Sequence, residues 1–320
     1  MINFELNGRT FGYLNPYLIA EIGVNHEGSL ERAKEMIDQV ARAGGHAAKF
    51  QTYKAATLAA KTTSPAYWDQ TKEPTTSQYE LFQRWDNFGP AEYAELAEHC
   101  KLRGVDFMST PFDLDAVDML TPLMPSTKVA SADLTNIPLL RKIGATKRPT
   151  IMSCGASSHE EIERSLNVLL EAGAPSVTLL HCILNYPTPR ENAQLSQIQV
   201  LQEKFGDRVA IGYSDHVRPE DDGSVPALEI ASIYGAVVIE KHFTDNKQGI
   251  GNDHYHAVDE RDLKAFTEKL AIYRELYGKR EHSLGAQSSV GKRQQRPVAC
   301  SVANPCQCAA HYSGNASVLV

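Results

Sequence analysis

The sequence predicts a closed (β/α)8, or TIM, barrel preceded by an N-terminal β-hairpin. Three observations carry that expectation. Apolar strand-like runs alternate with amphipathic helical runs eight times, which implies parallel strands joined by right-handed crossovers. The repeats occupy about 260 residues, a length typical of the barrel. The first strand-to-helix turn contains no G-x-G-x-x-G, which disfavours an open dinucleotide-binding sheet.

The opening NFELNGRTFGYL alternates with period two around Asn7-Gly8, a two-residue hairpin signal, so residues 3–13 read as a lid or plug. The repeats then run YLIAEIG with SLERAKEMIDQVARAG; HAAKFQ with PAEYAELAEHCKLRG; VDFMST with DLDAVDMLTPLM; and STKVAS with IPLLRKIGAT. They continue as PTIMSC with SHEEIERSLNVLLEAG; SVTLLHC with NAQLSQIQVLQEKFG; RVAIGYS with SVPALEIASIYG; and AVVIEKHF with DERDLKAFTEKLAIYREL. Gly44, Gly104, Gly173, Gly206 and Gly235 stand at helix ends, where left-handed caps would turn the chain into the next strand. Ser29, Asp113, Ser158 and Asn192 read as caps or loop residues.

Two segments break the rhythm. Residues 53–89 form a long insertion after the second repeat strand and carry both tryptophans, Trp68 and Trp85; such loops on the C-terminal face serve as lids or partner surfaces. Residues 1–282 therefore read as the barrel domain. Residues 283–320 show neither helical nor strand period and read as a linker and disordered tail.

Composition excludes several classes. The net charge of −7, without any long Lys/Arg block, argues against nucleic acid or a polybasic membrane anchor. No run approaches the roughly 18 to 20 apolar residues of a membrane span, and the N-terminus lacks signal-peptide order, so a cytoplasmic location is expected. Six cysteines without a zinc-type spacing read as free thiols.

In a barrel, chemistry gathers at the C-terminal ends of the strands. Here those ends carry Glu21; Lys49; Ser109-Thr110; Lys128 to Ser131 with Asp133; Ser153; His181 with Asn185-Tyr186; Ser214-Asp215-His216; and Glu240-Lys241-His242. His216 and His242 end neighbouring strands, and two neutral imidazoles with open positions suit a catalytic divalent metal. Two satisfied polar histidines are the bland alternative. Asp253, His254 and His256 lie in GIGNDHYH, a loop able to fold over the same mouth, with the two histidines read as loop residues rather than ligands. Lys49 and Lys128, with the hydroxyls of Thr110, Ser131, Ser153 and Ser214, offer donors that match a phosphate and a carboxylate. Glu240 and Lys241 read as a structural pair or as orienting groups.

AEIGVNHEGSLERAKEMID, AGGHAAKFQTYKA, STPFD, KVASADLTNIPLL, IMSCGASSHEEI, LLHCILNYPTP, GYSDH and VIEKHFTD, in this order, closely resemble the sialic acid synthase family. The resemblance implies condensation of phosphoenolpyruvate with N-acetylmannosamine or a related N-acylated hexose to give a nonulosonic acid and phosphate. It places Lys49, Thr110, Lys128, Ser131, Ser153, Asn185 and Ser214 on phosphoenolpyruvate. It makes His216 and His242 ligands of Mn2+ or Mg2+, and turns Glu21, Tyr186 and Asp253 toward the acceptor. Asp133 stands where many members have Glu, and with Glu21 is the candidate proton carrier. Family members continue into an antifreeze-like domain that completes a swapped homodimer; the tail ANPCQCAAHYSGNASVLV does not resemble it, which leaves the dimer open. The alternative reading is an impaired barrel that only binds phosphoenolpyruvate or a sugar phosphate.

Overall fold

The computed structural model describes residues 2–62, 65, 66 and 68–278, with one compact unit closing at Leu276. The stretch read as linker and tail, with Cys300, Cys306 and Cys308, lies outside the described residues; Cys100, Cys154 and Cys182 are buried free thiols. No helix among the described residues is long and apolar enough to cross a membrane.

The hairpin forms as expected. Strands β1 (Phe4–Leu6) and β2 (Arg9–Phe11) pair antiparallel with Phe4 opposite Phe11. Asn7 and Gly8 both have positive φ, the conformation a tight two-residue turn demands.

Eight parallel strands follow: β3 (Tyr17–Gly23), β4 (Ala47–Thr52), β5 (Asp106–Pro111), β6 (Thr127–Val129), β7 (Thr150–Ser153), β8 (Val177–Cys182), β9 (Ala210–Asp215) and β10 (Val238–His242). Hydrogen bonding runs β5-β4-β3-β10-β9-β8-β7-β6, so the first barrel strand pairs with the last and the sheet curls on itself. Between them lie α1 (Leu30–Arg42), the lid helices α2 (Ala55–Leu58) and α3 (Gln78–Trp85), α4 (Pro90–Arg103), α5 (Leu114–Leu120), α6 (Ile137–Ala145), α7 (His159–Ala172), α8 (Gln197–Phe205) and α9 (Pro226–Ile233), with α10 (Glu260–Tyr277) after β10.

Local chemistry sets the boundaries. Helix α1 buries Ala33, Met36, Ile37 and Val40 at helical spacing, and the Ser29 hydroxyl accepts from the Arg32 amide at its start. Asp113 and Ser158 cap α5 and α7 in the same way. Asn192 does not cap α8: it lies in a separate 3-10 turn, Arg190–Asn192, and Ser196 precedes the helix. Gly104 and Gly173 are left-handed caps, and Gly44 and Gly235 take positive φ one residue beyond theirs. Gly206 departs from the expectation, ending α8 with φ −71. A Cβ there would stand 2.4 Å from the Gln202 carbonyl, so close approach, not handedness, requires glycine.

Alternation along the strands builds the interior in layers. At the N-terminal end Tyr17, Ile19, Ala47, Met108, Ile151, Leu180, Ala210 and Val238 form an apolar floor, sealed from below by Phe4, Leu6 and Phe11 of the hairpin. Burying each hairpin side chain stabilises the floor by about 1.5–3 kcal/mol. Two residues further along the strands, or four on β9, the interior turns polar, with Glu21, Lys49, Thr110, Ser153, Ser214 and Glu240 all buried.

Candidate active site

Above that polar layer lies a cavity of about 680 Å3, and its wall contains Glu21, Lys49, Thr110, Lys128, Ser131, Asp133, Ser153, Asn185, Tyr186, Ser214, His216, His242 and Asp253. Every residue to which the family resemblance gave a role therefore meets in one place, whereas the strand-end groups Ser109, His181, Asp215 and Lys241 are not on that wall. The insertion supplies Tyr53, Leu58, Glu73, Gln78, Leu81, Phe82 and Trp85 to the same wall, which makes it the cavity's lid.

The floor of the cavity is an ionic cluster. Lys49 Nζ lies 2.5 Å from Glu21 and 3.6 Å from Glu240, and donates to Thr110 Oγ1 at 3.2 Å. The pairing with Glu21 follows from register, because the two residues are partners across β3 and β4. Lys128 Nζ donates to Ser153 Oγ at 2.8 Å and to the Val129 carbonyl at 2.9 Å, and stands 3.9 Å from Glu240. Ser214 Oγ donates to Glu240 at 3.1 Å, and Gln51 Nε2 donates to Glu21 at 3.1 Å.

Burial and charge act against each other in this cluster. Burial outweighs the Lys49 contact at Glu21 and pushes its carboxyl up to about 7. Burial works against the charge on Lys49, yet Glu21 and Glu240 outweigh it and raise its pKa. Lys128 is held below its ordinary value by burial, which Glu240 only partly offsets. Glu240 falls the other way: burial raises it, but Lys128 and Lys49 prevail and it is lowered.

Glu240 and Lys241 are not a pair with each other. Successive strand side chains point to opposite faces, so Glu240 enters the barrel while Lys241 faces the helices and lies 2.8 Å from Asp215. Counting by twos from His242 to Glu240 to Val238 finds this, and the same count from Lys49 finds Gln51; the sequence reading missed both as site residues.

His216 and His242 stand with ring centroids 5.4 Å apart. Two imidazoles on one ion, with metal–nitrogen bonds of about 2.1 Å, have centroids no more than about 6.5 Å apart, so the pair can share a cation. Nδ1 of His216 donates to the Ile183 carbonyl at 2.7 Å, which fixes the tautomer and leaves Nε2 as the lone-pair nitrogen. Burial lowers its pKa to about 4, so the ring is neutral as a ligand must be. Burial also lowers His242 well below its ordinary value, and its buried Nδ1 has no hydrogen-bond partner. That orphaned nitrogen fits a metal ligand.

The loop after β10 contributes more than expected. Asp253 Oδ2 lies 3.7 Å from His242 Nδ1, and burial pushes its carboxyl up to about 6. Asn25 Nδ2 ties the loop down by donating to the Phe243 and Asp253 carbonyls. His254 behaves as a loop residue, bonded to Thr244 and 3.2 Å from Glu27. His256 does not: His242, Asp253 and His256 bring ligand atoms within 4.8 Å of one another, a grouping able to hold a metal. His216 stands outside that tightest set. Asp133 sits at the cavity wall in the 3-10 turn Ser131–Asp133, where it accepts from Asn136 Nδ2 at 3.1 Å and burial raises its pKa.

Comparison with known proteins shows the family. The NeuB family model matches residues 36–282. The chain belongs to the NeuB family. Among curated NeuB-type relatives, N,N'-diacetyllegionaminic acid synthase of Campylobacter jejuni is 36% identical over 82% of this chain and 77% of its own length. N-acetylneuraminate-9-phosphate synthase of Drosophila melanogaster is 34% identical over 81% of this chain and 68% of its own. The crystal structure of N-acetylneuraminic acid synthetase from Leptospira borgpetersenii, in complex with citrate, superposes with TM-score 0.77 at 29% identity, covering 92% of this chain and 97% of that one.

Proposed function

We propose that this NeuB family protein condenses phosphoenolpyruvate with an unphosphorylated N-acylated hexosamine, N-acetylmannosamine or a close relative, to give a nonulosonic acid and phosphate. The observation that carries the reading is the meeting of Lys49, Lys128 and four hydroxyls with His216 and His242 on one cavity wall. The family relationship supports phosphoenolpyruvate-dependent condensation as the reaction class.

In this reading Lys49 and Lys128, with Thr110, Ser131, Ser153, Asn185 and Ser214, bind the phosphate and carboxylate of phosphoenolpyruvate and present its C3 to the acceptor's aldehyde carbon. A divalent ion, Mn2+ or Mg2+, held by His216 and His242 supplies Lewis-acid polarisation of the aldehyde oxygen. The new C–C bond leaves positive charge at C2. Water adds there, and C–O cleavage then releases phosphate. Glu21, with its carboxyl near neutrality, and Asp133 are the groups placed to carry protons. Tyr186 and Asp253 contact the acceptor under the lid.

Charge on the wall supports a neutral acceptor. Lys49 and Lys128 are the only lysines, and no arginine joins them, among the described wall residues, while Glu27, Glu73, Asp133 and Asp253 also line the cavity. A second phosphate would meet no cation on that wall beyond the two lysines, and Glu27 and Glu73 already hold Arg32 and Arg84. Incubation with phosphoenolpyruvate, Mn2+ and a panel of acceptors tests the reading. Phosphate release and a product mass equal to the acceptor plus a pyruvate unit are expected with unphosphorylated N-acyl hexosamines. Ligand-induced thermal stabilisation without phosphate release from any acceptor would leave only a binding protein.

A further inference from the structure

The buried imidazole of His256 plays no part in the reading above. It is 0% exposed, and both of its ring nitrogens lack a hydrogen-bond partner. A neutral imidazole carries one donor and one acceptor, and leaving each unsatisfied in the interior costs about 1–3 kcal/mol. Buried polar groups in native folds are satisfied with few exceptions, so this ring calls for an occupant. Its neighbours name one. The His256 ring centroid lies 4.8 Å from that of His242 and 6.0 Å from that of His216, both within the span that rings on one cation can adopt. Tyr186 closes the cluster, 5.7 Å from His256 and 4.1 Å from His216. The unpartnered Nδ1 of His242 and the Asp253 carboxylate complete a set whose donor atoms lie within 4.8 Å.

We propose that His256 is a third nitrogen ligand of the divalent ion, joining His242 and Asp253, whose donor atoms already converge with its own, and His216 once that ring turns onto the bound ion, in a site selective for a borderline transition-metal dication over Mg2+. The inference rests on the synthase reading and adds the composition of its metal site. Imidazole donors favour the later divalent transition ions, whereas Mg2+ holds water and oxygen ligands and is poorly served by three nitrogens. His256 is absent from the cavity wall, so it reaches the ion from the protein side and leaves the positions that face the cavity to substrate.

The test counts nitrogens on the full chain, stripped with a chelator and reloaded with Mn2+ or Co2+. Pulsed electron paramagnetic resonance of the Mn2+ protein is expected to show three directly bound nitrogens, falling to two in His256→Ala. Metal affinity should fall by about tenfold or more in that variant, and added imidazole should restore both affinity and the Co2+ absorption spectrum. Excess Mg2+ should not displace Mn2+ from the unaltered protein. Two nitrogens in the unaltered protein would overturn the proposal even if His256→Ala did not fold, as would an unchanged spectrum and affinity in the variant. Product formation by a protein with a two-nitrogen ion would refute this inference alone; a three-nitrogen ion in a protein that makes no product would refute the synthase reading instead.

Discussion

Replacing Glu21 with Gln changes the charge that an incoming anion meets. With Glu21, Glu240, Lys49 and Lys128 all ionised, the cluster has two carboxylates against two ammonium groups, and phosphoenolpyruvate enters without net attraction. Protonation of Glu21, whose carboxyl is pushed up to about 7 by burial, leaves the cluster net positive. Anion binding therefore favours the protonated carboxyl and takes up a proton wherever Glu21 is ionised in the free protein. By linkage, affinity for phosphoenolpyruvate falls by up to about tenfold, or about 1.4 kcal/mol, for each pH unit above about 7. Lys128, lowered by burial, adds uptake of the same sign at higher pH. Gln at position 21 mimics the protonated state, so its uptake is expected to be smaller by about one proton. Titration calorimetry near pH 8 in two buffers of different ionisation enthalpy reads that number directly. Equal uptake by the unaltered protein and Glu21→Gln would refute the charge balance assigned to the cluster.

Lys49→Met strands Glu21 and Glu240 in the interior and is expected to cost about 3–5 kcal/mol in denaturant unfolding. Adding Glu21→Gln should recover part of that loss, and strictly additive losses would contradict the pairing. His46 accepts a hydrogen bond from the Leu18 amide, and burial lowers its pKa to about 4. The folded pKa lies below the unfolded value near 6.5, so its contribution is present above about pH 6.5 and is lost as pH falls toward about 4. The stability advantage of the unaltered protein over His46→Gln should accordingly shrink by up to about 3 kcal/mol across that window. Taking the difference cancels the opposite slope of Glu21 and Asp253, whose raised values make them costly above their unfolded pKa. An advantage independent of pH would show that His46 is not held neutral by the fold.

The barrel was legible because alternation of strand and helix is a property of the chain itself, and parallel strands with tight crossovers leave few ways to close. The same logic found the cavity wall: strand ends deliver side chains to one rim, so Lys49, Ser153 and His242 converge without any contact being visible in the sequence. Facing within a strand was legible too, but only by counting in twos. Glu240 and Lys241 are adjacent in sequence and lie on opposite faces, with Glu240 beside Lys128 and Lys241 beside Asp215. What could not be read is what loops bring back. His254 and His256 share one short loop, yet one is bonded to Thr244 and the other is buried with both nitrogens unpartnered. No period governs how a loop side chain turns, and the tie that holds this loop, from Asn25 to the Phe243 carbonyl, spans more than two hundred residues. Gly206 shows the same limit at smaller scale, because a glycine at a helix end serves either a left-handed turn or a close approach, and its φ of −71 with the Gln202 carbonyl alongside decides for the second.

The most direct measurement of the proposed chemistry is phosphate release from phosphoenolpyruvate with N-acetylmannosamine, in chelator-treated protein before and after Mn2+ is restored. Release is expected only when acceptor and metal are both present, and it should be abolished in His216→Ala and His242→Ala, with the circular dichroism spectrum unchanged. Full turnover in EDTA, or in either histidine variant, would contradict a reaction centred on an ion shared by those two rings.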